Sequence, residues 1–215
     1  MSEEKIFVIG DIHGCLSMLK ELIKKIEWNP AKDRLIFLGD YIDRGDNPKG
    51  VIDFILRLKK GSPSIQCLIG NHEQMFLNYL SGVDRQSSLL NGGLSTLKSY
   101  EEVRQSRNEP LIPSSHLDFF STLLPMIELE QYYIVHAGFR PHIRIEDQDQ
   151  NDMIWIREEF IYSDYNFGKV VIFGHTPLNS PLIMRNKIGI DTGAVFGNYL
   201  TCLELPKKKF HSVKP

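Results

Sequence analysis

Gly39-Asp40-Tyr41-Ile42-Asp43-Arg44-Gly45 follows directly on the apolar run Leu35-Ile36-Phe37-Leu38. The run has the length and composition of a strand buried on both faces of a parallel sheet, and the glycine permits the sharp turn that ends it. Two carboxylates and a guanidinium are thereby delivered just beyond the carboxyl end of a strand, where open α/β sheets bind their ligands. Taken singly the stretch decides little, because surface carboxylates pair with arginine in many polar loops without functional consequence.

The same construction recurs on both sides. Upstream, Ile6-Phe7-Val8-Ile9 ends in Gly10-Asp11-Ile12-His13-Gly14; downstream, Ile65-Gln66-Cys67-Leu68-Ile69 ends in Gly70-Asn71-His72-Glu73. Asp11 precedes Asp40 by 29 positions and Asp40 precedes Asn71 by 31, close to one strand-helix-strand unit of roughly 30 residues. Three consecutive parallel strands then set an Asp, an Asp and an Asn along one sheet edge, and the fold class is α/β. The segment from Cys15 to Ile26 and the segment from Val51 to Leu58 carry apolar residues at helical spacing and read as crossover helices. Asn47-Pro48 reads as a cap followed by proline at the first helical position, and Gly61 and Gly82 as helix ends.

Composition narrows the class. With 215 residues and 42% hydrophobic content, a single domain over 1–215 is expected, since cores grow to roughly 250 residues before chains divide. A formal charge of −2 gives no reason to expect nucleic acid or a membrane surface as partner. Cys15, Cys67 and Cys202 are odd in number and lack a Cys-x-x-Cys pair, which favours free thiols and a cytoplasmic location. The N-terminal stretch Met1 to Lys5 is polar and runs straight into the first strand, and no apolar run approaches the roughly 18 residues of a membrane span.

Between 84 and 124 the pattern turns polar and helical. Asn91-Gly92-Gly93 is expected as a turn and Ser114-Ser115 as helix caps, giving a helical insertion over one edge of the sheet. Surface cover and substrate selection are even alternatives for it. Strands resume at Met126–Glu130, Tyr132–Val135, Lys169–Phe173, Ile188–Ile190 and Tyr199–Leu205. Two of them end in His136-Ala137-Gly138 and Gly174-His175-Thr176-Pro177. The short basic tail from 206 is expected to be a solvated end with no task.

The strand-end residues Asp11, His13, Asp40, Asn71, His136 and His175 form a set of carboxylate, imidazole and amide donors. Such a set suits Mn²⁺, Fe²⁺ or Zn²⁺, and the missing thiolates argue against a structural zinc site. Six ligands are too many for one catalytic ion that keeps open positions, whereas two divalent ions sharing a carboxylate use them all and suit in-line displacement at phosphorus.

The five blocks, in this order and spacing from Gly10 to about Pro177, resemble the signature of the phosphoprotein phosphatase family of metallophosphoesterases. With the short chain and Ile154-Trp155-Ile156-Arg157, the likeness is to its compact bacterial and phage branch. The resemblance implies a calcineurin-like fold, a central β-sandwich of two mixed sheets flanked by helices. It implies that Asp11, His13 and Asp40 hold one ion and that Asp40, Asn71, His136 and His175 hold the other, with Mn²⁺ preferred. It implies further that His72 is the general acid, that Asp43 orients it, and that Arg44 and Arg157 hold phosphate oxygens, a task suited to the planar guanidinium. A serine/threonine or dual-specificity protein phosphatase acting on phosphorylated protein or peptide is the first expectation. A symmetrical dinucleoside tetraphosphatase is the alternative, although Asp43-Arg44 and Glu73 differ from that branch. An inactive phospho-binding module is the remote one, since no site residue is missing. Glu73 stands open between a site-supporting role and a first-turn helix position.

Overall fold

The computed structural model describes residues 4–215; Met1 to Glu3, part of the polar stretch expected to lead into the first strand, lie outside the described residues. The strands are β1 (Ile6–Ile9), β2 (Arg34–Phe37), β3 (Ile65–Cys67), β4 (Met126–Glu128), β5 (Tyr132–Val135), β6 (Val170–Phe173), β7 (Leu182–Ile183), β8 (Lys187–Gly189), β9 (Leu200–Leu205) and β10 (Lys209–Val213). They form two five-stranded sheets, ordered β10-β9-β1-β2-β3 and β4-β5-β6-β8-β7. The expected run of three parallel strands is present, with Phe7 opposite Leu35 and Leu35 opposite Ile65. Both sheets are mixed: β9 joins β1 antiparallel, and β5, β6 and β8 are parallel between antiparallel β4 and β7.

Alternation along each strand explains why the sheets stack. Val8, Ile36 and Leu38 from the first sheet meet Ile134, Ile172 and Ile188 from the second in one buried layer. Their neighbours in sequence point the other way: Phe7, Ile9, Leu35 and Phe37 face the helices on the outer side of the first sheet, and Tyr133, Val135, Val171 and Phe173 form the outer core of the second. A strand with apolar residues on both faces must be covered on both. Each fully buried Ile, Leu or Phe contributes about 1.5–3 kcal/mol through the apolar area it removes from water.

Helices α1 (Leu16–Lys25), α2 (Pro48–Gly61) and α3 (Asn71–Ser81) follow β1, β2 and β3. Asn47 caps α2 by accepting from the Gly50 N–H, and Gly82 ends α3 in the left-handed conformation. The insertion contains α4 (Gln86–Ser88), a kinked turn at Leu89–Gly93, α5 (Leu94–Glu101) and α6 (Ser114–Ser121). Its last residue docks on the edge of the first sheet, where Ile69 donates to Leu124 O at 2.9 Å and Leu124 donates to Cys67 O at 3.0 Å. A relay that runs from the interior to the surface fastens it to α2: buried Tyr100 Oη lies 2.7 Å from buried His116 Nδ1, and His116 Nε2 lies 3.0 Å from Oδ1 of the partly exposed Asp53. Two short helices, α7 (Gln150–Trp155) and α8 (Glu158–Ile161), lie on the second sheet.

Two expectations need correction. Ser114 and Ser115 do not cap α6; Pro113 holds the cap position without a side-chain bond, and the serines lie in the first turn. The tail does have a structural task. Lys209–Val213 pairs antiparallel with β9, Val213 is buried, and Lys25 Nζ donates to Ser212 O at 2.7 Å. The lysine run is no guide to the strand because Lys207 and Lys208 lie in the turn that joins β9 to β10, and only Lys209 belongs to β10.

Candidate metal centre and active site

All ten predicted site residues come together where the carboxyl ends of β1, β2, β3, β5 and β6 meet. The backbone is bent to bring them there: His13, Asp40, Asp43, Arg44 and His175 all have positive φ, between 44° and 70°. A non-glycine residue held this way costs about 1–3 kcal/mol and persists only where its surroundings dictate it. Gly39 shows why the turn excludes a side chain. At φ 108° its Cβ would lie 2.7 Å from Gly70 N and 3.0 Å from His136 Nδ1.

Glu73 answers the question left open for it. Fully buried, its carboxylate accepts from the N–H groups of Asp40 (2.8 Å), Tyr41 (2.9 Å) and Gly70 (3.0 Å), tying two strand-end loops together. Burial and the neighbouring Asp40 push it up to about 8, against the pull of these donors.

Asp40 occupies the middle of the cage. Its Oδ2 is 3.4 Å from His13 Nε2 and its Oδ1 is 3.5 Å from His136 Nε2. It belongs to both groups whose donor atoms converge closely enough for an ion, His13–Asp40–His72 and Asp40–His136–His175. His13 Nδ1 donates to Ile42 O at 2.8 Å and His136 Nδ1 to Leu38 O at 2.9 Å. A carbonyl can only accept, so each Nε2 turns a lone pair inward. Asn71 Oδ1 stands 3.2 Å from His136 Nε2 and 3.0 Å from His175 Nδ1. Asp11 accepts from His175 N at 2.9 Å through Oδ2, while Oδ1 is buried without a partner among the described residues. Acceptor atoms of Asp40, Asn71 and His136 crowded together, beside this orphaned Asp11 oxygen and a His175 Nε2 likewise unpartnered among the described residues, form an arrangement that a cation satisfies.

The electrostatics agree with that reading. Burial lowers His13 to about 3 and also lowers His136 and His175, so these imidazoles are neutral and ready to ligate. Burial alone would raise Asp40, but His136, His72 and His13 outweigh it and hold the carboxyl below the usual range. Burial, then Asp191 and Asp40, raise Asp11. The residues present therefore fit a pair of divalent cations.

Beside the cage, His72 Nδ1 lies 2.7 Å from Asp43 Oδ2, both side chains being buried. Arg44 Nη1 donates to His13 Nε2 at 2.7 Å, and its guanidinium sits 5.6 Å from the ring centre of exposed Phe196. Arg157 lies at the start of α8, with Nη1 3.4 Å from Thr176 Oγ1.

Four residues were missed. Thr96, in the insertion, donates to Asp43 Oδ1 at 2.5 Å and accepts from Asp43 N at 2.9 Å. Gly92 accepts from Arg44 N at 3.3 Å, and a Cβ at its φ of 102° would fall 2.8 Å from Arg44 Cγ. The insertion therefore touches the site, and neither contact had a local signal in the sequence. Asp191 did have one: it follows β8 as Asp11 and Asp40 follow their strands. It is buried, and burial lifts it to about 6. Lys187, on β8 and 1% exposed, directs Nζ at the carbonyls of Phe160 and Ser163 (2.7 Å to the latter) at the end of α8.

A two-layer β-sandwich carrying a shared carboxylate between histidine-rich donor groups, with a buried His–Asp pair and two arginines at its rim, defines a metallophosphoesterase. The chain belongs to the calcineurin-like phosphoesterase family, whose model matches residues 4–201. It is 27% identical to the asymmetrical bis(5'-nucleosyl)-tetraphosphatase PrpE of Bacillus cereus (strain Q1), over 97% of this chain and 94% of that protein. In fold it is similar to a putative diadenosine tetraphosphatase (TM-score 0.77, 22% identity, 98% of this chain and 93% of that one). It is also similar to a protein serine/threonine phosphatase from Saccharomyces cerevisiae (TM-score 0.69, 16% identity, 99% and 80%). Among the described residues, no helix is long and apolar enough to cross a membrane.

Proposed function

We propose that this chain is a metal-dependent hydrolase of dinucleoside tetraphosphates that cuts the phosphate chain off-centre, releasing a nucleoside monophosphate and a nucleoside triphosphate. The observation that carries this reading is the likeness, over nearly the whole of both chains, to proteins named asymmetrical bis(5'-nucleosyl)-tetraphosphatases. It displaces the protein phosphatase from first place among the expectations. The symmetrical alternative has less support, since the Asp43-Arg44 and Glu73 that set this chain apart from that branch are built into the site.

In this reading Asp11, His13 and Asp40 hold one cation and Asp40, Asn71, His136 and His175 the other, Mn²⁺ being favoured over Fe²⁺ or Zn²⁺. When bound, the pair supplies Lewis-acid stabilisation of the charge at phosphorus and lowers the pKa of a water. Arg44 and Arg157 bind and orient the phosphate under attack. The water releases one proton to solvent as its oxygen bonds to phosphorus, the P–O bond to the leaving oxygen breaks, and His72 gives that oxygen a proton from the nitrogen turned away from Asp43. Asp43 fixes the ring through Nδ1 and stabilises its charged form. Such proton donation is worth ~10²–10⁴-fold, most where the leaving oxygen is basic.

That last point supports a second reading, a phosphoserine/phosphothreonine phosphatase. A serine alkoxide needs a proton far more than a nucleotide phosphate does, and the buried His72–Asp43 pair is built to provide one. Incubating Mn²⁺-loaded enzyme with diadenosine tetraphosphate, and in parallel with phosphopeptides, separates the readings. Equimolar AMP and ATP are expected; two ADP would favour the symmetrical cut. Phosphopeptide turnover with diadenosine tetraphosphate left intact would overturn the proposal in favour of the second reading.

A further inference from the structure

Phe196 is 63% exposed, yet it stands on a short turn, Ala194–Phe196, immediately after buried Asp191 and Thr192. An exposed aromatic ring at the lip of an active site offers a flat apolar face on which a ligand can stack. Two cavities border this turn, the smaller lined by Phe196 itself and the larger by Ala194, Val195 and Gly197. The smaller, of about 330 Å³, is lined by Pro177, Leu178, Asn179, Gly193, Phe196 and Asn198. The larger, of about 670 Å³, is reached past Arg44 and bordered by Gly14 to Met18, Lys20 and Asn47. Both open from the loops that carry the cage: Pro177 is two positions from His175, and Arg44 belongs to the same loop as Asp40.

We propose that the smaller cavity is a nucleobase subsite in which the base stacks on Phe196, and that the larger cavity takes the longer arm of the substrate. The chemistry of the small cavity suits a base: an aromatic face, proline and leucine for the flat apolar surface, and two asparagine side chains for its polar edge. Asn198 Nδ2 donates to Asn179 O at 3.2 Å, which holds the two loops at a fixed separation. The guanidinium of Arg44 sits over the Phe196 ring, so the residue that binds phosphate also braces the residue that binds base. Thr176 stands between His175 of the cage and Pro177 of the small cavity, and Arg157 Nη1 lies 3.4 Å from its Oγ1, so a phosphate attached to the base would meet these two side chains. Lys20, Arg44 and the Asn47 amide face the larger cavity, where three further phosphates need counter-charge. Unequal arms on the two sides of the attacked phosphorus would make the off-centre cut a consequence of cavity size.

This inference rests on the nucleotide reading above, and its test does not depend on turnover. Binding of AMP and of ribose 5-phosphate, which differ in the base, is measured by calorimetric titration of the Mn²⁺-loaded protein. The wild type is expected to bind AMP about ten- to a hundredfold more tightly than ribose 5-phosphate, the range of one base–aromatic stack. Phe196→Ala should bring that ratio close to one, and Phe196→Tyr should restore it. If the wild type does not distinguish the two ligands, or if Phe196→Ala keeps the preference, the subsite is wrong even where diadenosine tetraphosphate is cleaved to AMP and ATP. A preserved AMP preference in an enzyme that fails to cleave diadenosine tetraphosphate would uphold the subsite and reject the substrate.

Discussion

The loop after β2 and the insertion at 84–124 reach the same two residues from opposite directions. The loop presents Asp43 and Arg44 to the cage from directly behind a buried strand, and its position follows from the sheet. The insertion holds those residues from outside, through Thr96 on Asp43 and Gly92 on Arg44, and it is held in turn by the Tyr100–His116–Asp53 relay. The first supplies functional groups and the second fixes where they point. The functional groups of this chain therefore come with the sheet, while the precision of the His–Asp pair depends on a segment that looks like surface cover.

The largest effect expected is on the sheet side. Asp40→Asn removes the carboxylate shared by both donor groups, and kcat should fall by on the order of 10³-fold or more, because several kcal/mol of charge stabilisation go with it. Calorimetric titration should show Mn²⁺ stoichiometry falling below two, and chelation, which lowers the Tm of the wild type, should move the variant less. Two ions bound with activity within tenfold of wild type would show that Asp40 is not the bridge. Next comes His72→Asn. Its loss should be ~10²–10⁴-fold for alkyl phosphates and much smaller for activated aryl phosphates, whose leaving groups need no proton.

The insertion side should give smaller effects with the same signature. Thr96→Val removes both hydrogen bonds of the hydroxyl, the one donated to the Asp43 carboxylate and the one accepted from the Asp43 N–H, and should cost at least about tenfold in kcat. The loss should track leaving-group basicity as the His72→Asn loss does, and Thr96→Ser should recover it. An equal loss on all substrates would mean that Thr96 only holds the fold together. Gly92→Ala puts a Cβ against Arg44 at a φ of 102°. It should raise KM severalfold with kcat little changed, and cost about 1–2 kcal/mol of stability from the left-handed backbone.

This division also explains what could be read from sequence. Asp11, Asp40, Asn71, His136 and His175 were legible because each terminates or closely follows an apolar strand, and strand ends converge by construction. Asp191 obeys the same rule and was overlooked only because its neighbours are plain threonine and glycine. Thr96 and Gly92 obey no such rule. Their partners lie about fifty positions away, and a threonine in a polar helix carries no sign of what its hydroxyl meets. The tail failed for a different reason, since Lys207 and Lys208 of a hairpin turn resemble lysines of a solvated end, and the strand they lead into is short.

The smallest expected effect belongs to Lys187, which anchors the α8 carbonyls and through them the helix that begins at Arg157. Burial lowers this lysine from 10.5 to about 8, with Asp164 acting in the opposite direction. Between about 8 and 10.5 the unfolded chain retains a proton there that the folded chain has released. Stability gained from this group therefore rises with pH across that window and is lost as pH falls through about 8. Two thiols oppose it: burial raises half-buried Cys15 to about 11 and buried Cys67 to about 12, so they bind a proton when folded that they lose when unfolded, and they reduce stability as pH rises above 9. Only the difference between wild type and Lys187→Met isolates the lysine, since the thiols are common to both. Denaturant midpoints at pH 7.5 and at pH 10 should show the wild type gaining on the variant at the higher pH. A difference that shrinks instead would mean that the carbonyl cage keeps Lys187 charged, and that its bonds outweigh its burial.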